Sequence, residues 1–142
     1  MQPDEKARFL NWVAALPIKA EVVERLLAYL PDNEALNPEL PNWIGSATRI
    51  IGMNTPKNCF GLPKDPIDEG FLVIGSCPNG DPVAVNFRDP QLPVFYISHE
   101  QMHSQPLSEV IRKVSDSIDE YHKALSDEES SIPLDYWDGP KS

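Results

Sequence analysis

The stretch FLVIGSCPNGDPVAVNFRDPQLPVFYIS, residues 71–98, decides how the rest of this chain is read. FLVIGSC is a short apolar run closed by the turn signal PNGDP. VAVNFR then alternates, with Val83, Val85 and Phe87 on one face and Ala84, Asn86 and Arg88 on the other. Two such runs joined by a Pro, Asn and Gly-rich turn form a hairpin. A second turn, DPQLP, leads into VFYIS, where the alternation can put Phe95 and Ile97 toward the core and Val94 and Tyr96 away from it. The stretch predicts a three-stranded antiparallel meander.

The meander ends at HEQMH, residues 99–103, which matches the HExxH pattern of many zinc peptidases. That chemistry needs both histidines on one face of a continuous helix, with the glutamate beside them to activate the metal-bound water. Here a strand runs in from one side, and Pro106 disrupts any helix carried through from residue 99. The metzincin continuation is also missing, because Pro106 and Glu109 stand where its glycine and last histidine belong. Neither a metal nor another cofactor is expected. A zinc hydrolase remains the alternative, with His99, His103 and Glu120 as ligands and Glu100 as general base.

Beyond the motif, Leu107, Val110, Ile111, Val114, Ile118, Tyr121 and Leu125 fall on one helical stripe, with Pro106 in the first turn and Ser104 or Gln105 as cap. This predicts one long C-terminal helix. The remaining segment, SDEESSIPLDYWDGPKS, is acidic, and its Tyr136 and Trp137 are candidates to tie it back to the body. On the N-terminal side, Phe9, Trp12, Val13 and Leu16 recur at helical spacing, Pro17 interrupts, and Val22, Val23, Leu26, Leu27 and Leu30 resume the pattern. Two helices are expected there. From Pro31 to Pro66 the chain reads as irregular, with a strand-like piece around NWIGSATRIIGM in which Trp43 reads as packing rather than as a binding aromatic. No internal repeat is present.

A chain of 142 residues suits one domain. Residues 1–125 are assigned to it, and residues 126–142 to a partly ordered acidic tail. No apolar run approaches the roughly 20 residues that span a bilayer. MQPDEKARF has no apolar signal core, so a cytoplasmic location is expected. Cys59 and Cys77 are too few for a disulfide framework and read as free, mostly buried thiols. The net charge of -10 argues against binding nucleic acid or an anionic membrane, both of which need clustered Lys and Arg, and favours a basic protein partner.

Other familiar chemistries lack their residues. There is no GxxxxGK[ST], GxGxxG or GxSxG, and Gly75, Ser76 and Gly80 lie in a strand–turn–strand unsuited to cradling phosphate. Carboxylates are plentiful in the turns: Asp65, Asp68, Glu69, Asp81, Asp89 and Glu100 could gather at one edge of the sheet. They read as solvated loop charges, a partner-binding patch or, least of all, an acid/base pair.

The block EGFLVIGSCPNGDPVAVNFRDPQLPVFYISHE, followed by the predicted long amphipathic helix, resembles the SUKH superfamily of fungal glucan-synthesis regulators and bacterial toxin-immunity proteins. The resemblance covers residues 69–125. It rests on Phe71-Leu72 leading to Gly75-Ser76, then Gly80-Asp81, then an aromatic strand with Tyr96 closing on His99-Glu100. The N-terminal half departs from the pattern, and Asn86 stands where such proteins often carry an aspartate. The resemblance implies an α+β domain, with a twisted antiparallel sheet flanked by helices, that is not an enzyme. It further implies an immunity-like module that binds a basic toxin or effector, with Asp68, Glu69, Asp81, Asp89, Tyr96 and Glu100 as exposed contact candidates. A regulatory or scaffolding domain is the second alternative.

Overall fold

In the computed structural model, which describes residues 3–30, 44–55, 66–102, 104–126, 133 and 136, the meander forms as its alternation predicts. Strands β1 (Phe71–Ser76), β2 (Pro82–Asn86) and β3 (Val94–Ile97) pair antiparallel in sequence order. The first hairpin closes through the Gly80 amide donating to the Cys77 carbonyl (3.0 Å), with Gly80 at φ +96° where a side chain would be strained. Gly70, also at +96°, opens β1 so tightly against Arg88 that an added Cβ would lie 2.9 Å from its Cδ.

Three helices precede the sheet. α1 (Pro3–Val13) and α2 (Ala20–Leu27) are the two that the apolar stripes predict. α3 (Ala47–Met53) replaces the strand-like piece expected around NWIGSATRIIGM. The determinant is local: Ser46 holds extended backbone and its hydroxyl accepts from the Arg49 amide, an N-cap that starts a helix where a strand was read. A 3₁₀ turn at Pro66–Glu69 then leads into β1.

The long C-terminal helix does not form. Residues 107–126 divide into a single turn, α4 (Leu107–Val110), a fourth strand, β4 (Ile111–Ser115), and α5 (Ile118–Ser126). β4 pairs antiparallel with β3, so the sheet has four strands in the order β1-β2-β3-β4. Two causes act together. Val110, Ile111 and Val114 are β-branched and lose side-chain freedom in a helix, and β3 would otherwise present an open edge. Ser117 then starts α5, its Oγ accepting from the Glu120 amide at 3.2 Å in an S-x-x-E cap. Ser117→Ala should cost about 1 kcal/mol, read as a lower denaturation midpoint with an unchanged slope. An unchanged midpoint would mean that the cap does not hold α5.

Both faces of the sheet are packed, unequally. Leu72, Ile74, Val83, Val85, Val94 and Tyr96 face the larger core, built with Phe9 of α1, Val22, Val23 and Leu26 of α2, Ile50 of α3, and Ile118 and Tyr121 of α5. Val73, Ala84 and Ile97 face a smaller one, covered by Met102, Leu107 and Val110 from the β3–β4 connection. The expected alternation in β3 is therefore present but inverted in importance, since Val94 and Tyr96 enter the main core. Arg25 of α2 and Tyr29, just past the end of that helix, both bond to Asp119 of α5, and His122 packs on the Tyr29 ring at 5.0 Å, fastening α5 to the end of α2.

The outer edge of β1 is closed by protein. A bulge at Ile74 turns its carbonyl to the Gly45 amide (2.6 Å). Asn54, at the end of α3, brackets Val73: its Nδ2 donates to the Val73 carbonyl (2.8 Å) and its Oδ1 accepts from the Val73 amide (3.3 Å). Asn54→Ala should cost about 1–2 kcal/mol and speed amide exchange at Val73. Unaltered exchange there would show that the bracket is dispensable.

Candidate functional site

Asp81 is the chain's most elaborately bound carboxylate among the described residues. It follows the β1–β2 turn, is fully buried, and lies beside the end of β3. One oxygen accepts from the His99 backbone amide (2.9 Å) and from His99 Nδ1 (2.5 Å). The other accepts from Asn79 Nδ2 (3.0 Å) and from the Tyr136 amide (2.9 Å). Burial by itself pushes this carboxyl up. The donors from His99, Tyr136 and Asn79 outweigh it and hold Asp81 below the usual carboxylate range.

Three distant segments meet at that one side chain: the hairpin turn, the turn after β3, and the C-terminal stretch. Further bonds fix the last of these. The Tyr136 carbonyl accepts from Arg112 (2.7 Å), and the Pro133 carbonyl accepts from the Tyr96 hydroxyl (2.7 Å). Tyr96 in turn receives a bond from Tyr121 across 3.1 Å, so burial and the neighbouring phenol push the Tyr121 hydroxyl far above its ordinary range. Tyr136 ties back to the body as its aromatic character predicts, while Trp137 lies outside the described residues.

The sequence candidates separate on burial and position. Tyr96 and Asp81 have no exposed surface, which corrects the expectation that they are exposed contacts. Tyr96 is buried because its register partner is Val83, whose face carries the main core. Asp68 and Glu100 are exposed, and Glu69 and Asp89 are half-buried. The acids do not gather at one edge. Asp68, Glu69 and Asp89 lie at the end where β1 begins and β2 stops, and Asp81 and Glu100 at the opposite end. Asp65 lies outside the described residues.

HEQMH is a junction. Residues 99–102 form a turn between β3 and α4, and His103 lies outside the described residues. His99 therefore belongs to no helix, and its Nδ1 is engaged by Asp81. Glu120 is in the first turn of α5. Among the described residues no three His, Cys, Asp or Glu side chains converge as metal ligands. Cys77 is buried, as expected, and Cys59 lies outside the described residues.

The Asp81–His99 pair, with a carboxylate oxygen 2.5 Å from Nδ1, has the geometry that orients an imidazole in acid/base catalysis. Among the described residues no hydroxyl or thiol is hydrogen-bonded to this imidazole. The neighbouring Ser98 Oγ is buried without any hydrogen-bond partner, so the imidazole is not bonded to it. The arrangement suits fastening: two of the four Asp81 bonds go to backbone amides that it holds in place. Sequence reasoning placed Asp81 among turn acids and missed this role, although the Asn79-Gly80-Asp81 turn facing a strand end at His99 was visible. Comparison with protein-family models, with curated proteins and with solved structures finds no match in any of the three. Among the described residues no helix is long and apolar enough to cross a membrane.

Proposed function

We propose that this chain is a non-enzymatic protein-binding module, immunity-like in the sense of the SUKH resemblance, which neutralises a basic toxin or effector domain by covering it. The observation that carries this reading is the division of labour among carboxylates. Asp81, paired with the His99 imidazole, is fully occupied in joining three segments, while Asp68, Glu69, Asp89 and Glu100 reach solvent on a chain of net charge -10. Such a surface attracts a basic domain over a distance, which speeds encounter and rejects acidic competitors.

The test is a titration of the purified chain against the products of the genes flanking its own, at about 50 and 300 mM salt, where screening differs strongly. A one-to-one complex with a basic domain, whose association slows steeply with salt and which abolishes that domain's activity, supports the reading. Binding to none of them, or turnover by the isolated chain that disappears in Glu100→Gln, would sink it.

A further inference from the structure

The two edges of the sheet are treated differently. β1 is covered by Gly45 and Asn54, whereas the outer edge of β4 carries no backbone hydrogen bond among the described residues. The Ser98 amide donates to the Val110 carbonyl (2.9 Å), and the register continues through Ile97–Ile111, Tyr96–Arg112 and Phe95–Lys113. Antiparallel alternation then turns the amides and carbonyls of Ile111 and Lys113 outward. Natural edges this bare invite another strand.

Beside that edge lies a groove of about 450 Å³ between β4 and α5. Val114 and Ala124 supply apolar surface in it, and Asp116 and Glu120 are both exposed acids along it. Lys113, half-exposed, is held by Asp116 at 2.7 Å and also feels Asp89 and Glu120. The groove is thus lined by two acids and one lysine.

We propose that the β4 edge, Ile111–Ser115, is a docking site for an extended basic segment of the partner, which adds as a fifth strand and lays an Arg or Lys side chain into the β4–α5 groove. This rests on the binding reading above and names its surface. The aliphatic stem of such a side chain covers Val114 and Ala124, and its charged end meets Asp116 and Glu120. A second copy of this chain is a poor occupant, because antiparallel pairing of β4 with itself about Lys113 sets two lysines opposite one another.

The experiment uses the full chain, isotope-labelled, with an eight-residue peptide of alternating Arg and Val as probe. Its controls are the same peptide with alternate amides methylated and a Glu-for-Arg version. The Arg/Val peptide should protect the Ile111 and Lys113 amides from exchange, and methylation or Glu substitution should weaken binding roughly tenfold or more. Lys113→Pro, at a position whose amide faces outward, should weaken it similarly without breaking the β3 ladder. Equal binding of the methylated peptide, protection elsewhere, no protection at Ile111 and Lys113, or dimerisation through β4 would overturn the proposal. A flanking-gene partner that binds wild type and Lys113→Pro equally would overturn only the docking edge and leave the binding function standing; a partner that binds neither removes both.

Discussion

Asp81→Ala is expected to lower stability by about 3–4 kcal/mol, near the upper end for a single side chain, because it removes a fully buried acceptor shared by donors on three segments. The Asn79 amide, the His99 amide and ring, and the Tyr136 amide all lose the same partner. Asp81→Asn keeps the shape but places an NH₂ group against donors, and should cost about 2–3 kcal/mol. The pH dependence identifies the cause. The folded carboxyl is held below its unfolded value, so the unfolded chain binds the more protons as the medium is acidified. The contribution of Asp81 is therefore complete above about pH 4, the ordinary aspartate value, and is lost as pH falls through the lower folded value. Urea unfolding of wild type and Asp81→Ala between neutral and acid pH should give curves that converge at the acid end. A constant gap between them would assign the loss to packing and not to the ionised carboxylate.

Tyr96→Ala is expected to cost about 4 kcal/mol, the scale of removing a fully buried aromatic side chain. Tyr96 has no exposed surface, packs edge-on against Tyr121 at 6.2 Å, and bonds to Pro133. Tyr96→Phe separates the two parts: it retains the ring and loses the hydroxyl that serves Pro133 and Tyr121, so about 1–2 kcal/mol should go. Chemical denaturation of both variants measures the split. Had Tyr96 been the exposed contact that its strand alternation allowed, Tyr96→Ala would change stability by about 0.5 kcal/mol or less, and such a value would contradict the burial described above.

The same residue shows how far the sequence could be read. Alternation in VFYIS established that Phe95 and Ile97 share one face and Val94 and Tyr96 the other. It could not say which face mattered more, because that depends on register. Val83 against Tyr96 and Val85 against Val94 place the two strands' apolar sets together, and α1, α2, α3 and α5 gather on that side. The candidate site was legible in its parts. Asp81, His99 and Tyr136 were each noticed, but their meeting spans residues 81 to 136 and has no local signature.

What the sequence by itself determined is the set of elements with strong local causes. The hairpin at PNGDP, the third strand after DPQLP and the two N-terminal apolar stripes carry their period and punctuation within a few residues. What only the tertiary structure decided is the fate of residues 107–126. Apolar residues at 107, 110, 111, 114, 118 and 121 satisfy a helical period, and the stripe was read that way. Yet the backbone of Ile111–Ser115 is hydrogen-bonded to β3, and the helix resumes only after the Ser117 cap. A helix satisfies its backbone from within, whereas a strand needs a partner, and the partner for β4 lies about fifteen residues back along the chain, across a turn and a single helical turn. Spacing within a segment cannot reveal an open edge elsewhere. The edge of β3, left bare by the meander, is what converted the middle of a predicted helix into a strand.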